Sequence, residues 1–157
     1  MVTRTGRYEV FRIEMLPAQR GDCLWLTYGK PGDKHHVIID GGPQETIPTL
    51  VPVLEDRIRR LKGDTDRIEL LVVSHVDADH IQGVVSLLSD HSRVRLFEDI
   101  WFNGYRHLTG LLGGPDGERL TSALNTQPER WNKAFHGAAV VIGDEGLPTV
   151  KLNGGLE

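Results

Sequence analysis

The sequence predicts an α/β protein of the layered α+β kind, a mixed β-sheet with helices against one face. Three observations carry that expectation. The chain opens on short apolar or alternating runs separated by turn chemistry, it changes to helical period at Ile47, and it returns to a buried strand at Ile68 that feeds a polar loop and a second helix.

Tyr8 to Met15 alternates, with Val10, Ile13 and Met15 between Glu9, Arg12 and Glu14, as a half-buried strand does. Pro17 to Asp22 is turn chemistry, and Cys23 to Tyr28 reads as a second strand. Gly29-Lys-Pro-Gly-Asp33 breaks it, and His36 to Ile39 forms a third short strand ending at Asp40-Gly41-Gly42-Pro43. These three runs predict an antiparallel meander, with His35 and His36 exposed at the start of its last strand.

Ile47, Leu50, Val51, Leu54, Ile58 and Leu61 then share one helical face. Pro48 and Pro52 lack the amide that a helix interior needs, so they move the expected start toward residues 48 to 52. Basic residues from Arg57 to Lys62 suit the C-terminal end, and Gly63 is the expected stop. Ile68 to Val73 is a strand apolar on both faces. A short helix follows with Val84, Val85, Leu87 and Leu88 inward, then a strand at Ile100 to Phe102. Glu118 to Asn125 and Pro128 to His136 are helix candidates, and Ala138 to Ile142 with Thr149 to Leu152 reads as a hairpin.

Composition narrows the function classes. A net charge of -4 over 157 residues argues against a general phosphate-backbone binder, although a bound metal could supply positive charge locally. One cysteine, Cys23, excludes an internal disulfide and fits a reducing compartment. No apolar run follows the N-terminal arginines and none is long enough to span a membrane, so the expected location is cytoplasmic.

The chemistry concentrates in Ser74-His-Val-Asp-Ala-Asp-His-Ile-Gln-Gly83. His75, Asp77, Asp79 and His80 follow a buried strand directly, where a loop is positioned accurately. Alternation along an extended loop would put residues 75, 77 and 79 on one side, with Asp79 as N-cap of a helix starting at His80. Four metal-capable side chains in six positions predict convergence on a divalent ion. Imidazole with carboxylate suits zinc, manganese or iron, and the lack of thiolates argues against a structural zinc knot.

The run Ser-His-Val-Asp-Ala-Asp-His-Ile-Gln-Gly resembles the His-x-His-x-Asp-His signature of the metallo-β-lactamase superfamily. Val37-Ile-Ile-Asp40-Gly-Gly resembles the strand that the family ends in Asp-x-Gly, and Trp101-Phe-Asn-Gly104 adds a likeness to the branch of DNA-uptake competence hydrolase domains. The likeness covers about residues 8 to 104 and is weak over 105 to 157. It implies the first half of an αββα sandwich, so residues 1 to 157 are expected to form a partial domain of that fold. It also implies that His75 and Asp77 belong to one metal site and Asp79 and His80 to a second, with Asp79 catalytic. Asp40 would lie beneath them and orient a ligand. Asp77 departs from the family's histidine, which favours harder ions such as manganese beside zinc.

The family's further ligands would come from its second half. His107, after a strand and Asn103-Gly104, is the foremost candidate here for a substrate or metal contact, with Asn103 beside it. Asp144, in a Gly-Asp context, is a weaker one. His91 and His136 read as helix-end residues, Cys23 as core packing, and the three tryptophans as core or interface.

The expected function is metal-dependent hydrolysis of an ester or phosphodiester, on a small-molecule or nucleotide substrate. The alternative is a catalytically incomplete domain acting as a binding or structural module. A lone sheet with one bare face also predicts self-association as a homodimer, and no membrane partner.

Overall fold

The computed structural model describes residues 10–61, 66–107, 114–143 and 146–157. The described residues build a five-stranded mixed sheet in the order β1-β2-β3-β4-β5, with helices against one face. Strands β1 (Val10–Met15), β2 (Leu24–Lys30) and β3 (Asp33–Ile39) form the expected antiparallel meander. Strands β4 (Asp66–Val72) and β5 (Phe97–Trp101) add in parallel to β3, each after a helical crossover.

Helix α1 (Ile47–Arg59) starts earlier than its prolines predict. Pro48 falls in the first turn, where a missing amide costs nothing, and Pro52 is accommodated inside the helix. The expected stop at Gly63 lies outside the described residues. Helix α2 (Ala78–Leu87) carries Ile81, Val84 and Leu87 inward, and α3 (Pro115–Leu124) lies against it with Leu120 and Leu124 buried. The expected hairpin after Ala138 does not form two strands: its part in the described residues has no regular secondary structure beyond one isolated bridge, Gly143 to Gly146. Pro128 to His136 yields only two 3₁₀ turns, Pro128–Arg130 and Lys133–Phe135.

The main core lies between the sheet and the helices, where Ile38, Leu50, Leu71, Ile81, Phe97, Ile100 and Trp131 are essentially inaccessible. Each such side chain contributes about 1.5–3 kcal/mol through removal from water. The other sheet face carries a smaller cluster of Tyr28, Val37 and Leu70, over which Leu152 and Leu156 fold. The expectation of a wholly bare face is therefore corrected in part: the closing residues cover its β2–β5 side. The β1 side stays open, with Phe11, Ile13 and Met15 exposed by 61%, 56% and 79% opposite Tyr28, Leu26 and Leu24.

His35 and His36 are buried, against the sequence expectation. The register of β3 on β4 shifts between His36 and Val37, which leaves Glu69 as the extra residue of β4. Its carboxylate meets His35 Nδ1 at 2.5 Å and accepts from the Tyr28 hydroxyl at 2.6 Å. On the opposite face Trp25 Nε1 donates to His36 Nδ1 at 3.1 Å. A burial pattern read along one strand cannot show partners that a neighbouring strand brings.

Candidate functional site

The loop 73–77 leaves β4 at its C-terminal end and turns into α2, and close backbone approaches fix where it lies. The amide of Gly41 donates to the carbonyl of His80 at 2.8 Å, and the amide of Gly83 to the carbonyl of Gly42 at 3.0 Å. A Cβ on Gly83 would stand 1.7 Å from the Gly41 oxygen, so only glycine lets the end of β3 cross the first turns of α2. Gly21 does the same on the other flank, where a Cβ would stand 1.9 Å from the Asp79 carbonyl oxygen. Helix α2 begins at Ala78 with Asp77 at the N-cap, so Asp79 sits in the first turn and is not the cap.

Asp40 lies beneath the loop, 3% exposed, with a backbone φ of 59° in the left-handed region. A non-glycine residue held there stores strain that the surrounding bonds must offset. Three bonds converge on its carboxylate. The Ser74 amide donates to Oδ1 at 2.8 Å, the Ser74 hydroxyl donates to Oδ2 at 2.7 Å, and His80 Nδ1 reaches Oδ2 at 3.0 Å. Since the Ser74 hydroxyl proton is spent on Asp40, its oxygen accepts from His75 Nδ1 at 2.8 Å. One assignment of protons satisfies the whole chain: both imidazoles carry hydrogen on Nδ1, and both leave the Nε2 lone pair outward.

The rings of His75 and His80 lie in contact, with centroids 3.8 Å apart. Asp77 Oδ2 lies 3.6 Å from His75 Nε2, and Asp79 Oδ2 lies 3.7 Å from His80 Nε2. The four residues are thus brought to one place as two acid–imidazole pairs. Among the described residues no group of three or more His, Cys, Asp or Glu side chains is already disposed to hold a metal ion. Each carboxylate lies beside the Nε2 edge of one imidazole. The donor types and the backing of both rings fit a divalent ion; the outer carboxylates would have to rotate to complete its shell.

Burial pulls the pKa of His80 down, but the Asp40 hydrogen bond and the charges of Asp40, Asp79 and Asp22 outweigh it, so the pKa is raised. Asp22, 3.8 Å from His80 Nδ1, and Ser74 are the members of the site that the sequence reading passed over. The signal for Asp22 was the Gly21 before it, since a glycine that a neighbouring backbone abuts marks a close approach.

The other candidates are placed elsewhere. His107 packs edge-on against Trp131 at 4.9 Å, accepts from the Gly104 amide at 3.2 Å and reaches the Gly137 carbonyl at 3.1 Å. Both ring nitrogens are engaged, so it holds a turn together, and burial lowers its pKa. Asn103 clamps Val140, its amide donating to the Val140 carbonyl at 2.7 Å and its oxygen accepting from the Val140 amide at 2.8 Å. That double bond makes it a wall of the cleft beside His75 and not a free polar contact. Asp144 lies outside the described residues. His91 opens a 3₁₀ turn, and His136 caps another in the left-handed conformation.

Beside His75, at the C-terminal ends of β4 and β5, lies a cleft of about 350 Å³ lined by Val72 to Val76, Trp101 to Asn103 and Val140. Among the described residues no helix is long and apolar enough to cross a membrane. Comparison with known proteins gave no match to a family model, a curated protein or a solved structure.

Proposed function

We propose that this protein is a metal-dependent hydrolase of the metallo-β-lactamase kind, with His75, Asp77, Asp79 and His80 as ligands of a divalent ion. Zinc is the first choice and manganese the second. The observation that supports the reading is the hydrogen-bond chain from Asp40 through Ser74 to His75 and from Asp40 to His80. It fixes both tautomers with Nε2 outward, the arrangement that carboxylate-backed metal-binding histidines need. A bound ion would supply Lewis acidity and a lowered pKa for its water. Asp79, in the first turn of α2, would orient that water and accept its proton, while Asp40 keeps the two rings from turning. The substrate would be an ester or phosphodiester, of a small molecule or a nucleotide.

One observation favours the second reading, a binding or structural module: the four side chains pair off instead of forming a cage. Calorimetric titration with zinc and manganese, followed by turnover of 4-nitrophenyl acetate and bis(4-nitrophenyl) phosphate, separates the two. Binding that is lost in His80→Ala, with turnover lost in Asp79→Ala, supports the hydrolase. No metal binding at millimolar concentrations would leave the module.

A further inference from the structure

The cleft beside His75 has a composition that selects what it can hold. Val72, Val76, Trp101, Phe102 and Val140 give it apolar walls. Among the described residues its polar side chains are Ser74, His75 and Asn103, and none is a lysine or arginine. Ser74 is committed to Asp40 and His75, and Asn103 is committed to Val140 at both ends of its amide. Among the described residues, that leaves the outward edge of His75, with Asp77 Oδ2 3.6 Å from it, as the polar side-chain edge of the lining that faces the cleft. A phosphate entering here would meet no cation and would approach the carboxylates of Asp77 and Asp79. An uncharged apolar group meets no such penalty.

The walls are also set in advance. Trp101 Nε1 donates to Asp99 Oδ2 at 2.8 Å, and Asp99 is itself held by the amides of Lys133 and Ala134 at 2.8 and 2.9 Å. Phe135 lies edge-on to the Trp101 ring at 5.1 Å. The opposite wall is the segment that Asn103 clamps. A cleft of about 350 Å³ is at the lower end of those that hold small organic ligands, which corresponds to one or two rings.

We propose that this cleft receives an uncharged aromatic group of the substrate, flat against Trp101, and so places the bond next to that group beside His75 and the metal-binding loop. This rests on the hydrolase reading and narrows it to aryl esters or aryl-substituted phosphodiesters, with the aryl group in the cleft and any charge toward the loop.

The test is a titration of ¹⁵N-labelled protein with 1-naphthol in metal-free buffer containing chelator, followed by amide and indole shifts. The Trp101 indole signal is identified by its loss in Trp101→Phe. Saturable shifts are expected at the Trp101 indole and at the amides of Val73 to Val76 and Val140. Trp101→Leu should weaken binding by about two- to tenfold, the range for one aromatic contact. Val72→Phe and, independently from the opposite wall, Val140→Phe should abolish binding by filling the cleft, with amide spectra elsewhere unchanged to show that the fold persists. Inorganic phosphate at the same concentration should move none of these signals. Naphthol shifts that are absent, that lie elsewhere, or that survive both filling variants overturn the proposal, as do phosphate shifts at these positions. Zinc titration of a second sample in chelator-free buffer reads the hydrolase separately. Zinc without naphthol binding removes the aromatic cleft alone, and naphthol without zinc binding removes the hydrolase and leaves the cleft.

Discussion

The Asp40 carboxylate holds His80 Nδ1 at 3.0 Å across forty residues of chain, and with Ser74 it sets the orientation of both imidazoles of the loop. Asp40→Asn keeps the size of the side chain and tolerates the left-handed backbone at this position. It loses the charge and can keep only some of the three bonds. The protein is expected to fold while the zinc affinity proposed for the loop falls by about 10–100-fold, as calorimetry would measure.

The crossing of β3 over α2 predicts a large packing effect. Gly83→Ala places a methyl group 1.7 Å from the Gly41 oxygen and 2.6 Å from its carbonyl carbon, backbone atoms that cannot rotate aside. It is expected to destabilise by about 3 kcal/mol or more, or to prevent folding. Gly114→Ala, where a Cβ meets nothing within 4 Å among the described residues and φ is -66°, should cost only about 0.5–1 kcal/mol in urea unfolding, the loss of a tolerated N-cap.

Glu14 and Arg57 give a pH dependence. Two hydrogen bonds from Arg57, at 3.0 and 3.1 Å, lower the Glu14 pKa from 4.5 to about 2 despite partial burial, with Arg12 adding to the effect. A depressed carboxylate stabilises the folded state above its unfolded pKa and loses that contribution as pH falls toward the folded value. Thermal unfolding of the parent and of Glu14→Gln should therefore differ by about 1 kcal/mol at pH 7, a figure discounted for the solvent near this pair. The difference should shrink steadily between pH 4.5 and about 2.

The open β1 side of the sheet bears on association. Phe11, Ile13 and Met15 form an exposed apolar row on an edge strand. We expect concentration-dependent self-association, which Ile13→Lys should reduce in light scattering without loss of helical or sheet signal. A parent that stays monomeric at high concentration would contradict this.

Cys23 should be inert. Burial, with the charge of Asp40, raises its thiol pKa to about 12, and 2% exposure shields it. Iodoacetamide at pH 8 is expected to label it only after denaturant is added, as mass spectrometry would report.

Spacing in the sequence predicts the order of strands and helices as far as β5, the meander, the helical face from Ile47 to Ile58 and the place of the loop at the end of a buried strand. All of these rest on spacing along the chain, which neighbouring residues carry locally. Tertiary structure decided what spacing does not encode. Glu69, an extra residue at a register shift, turned His35 from an expected surface residue into a buried partner. Asn103 and His107, candidates in the sequence for a substrate or metal contact, are taken up by Val140, Gly104 and Gly137. Asp22 and Ser74 joined the site because β3 crosses α2 at two glycines, an approach that depends on backbones far apart in sequence. The pairing of each aspartate with its own imidazole was likewise set in space. A motif states which donors are available, and the direction each one faces depends on the charges that the fold places around it.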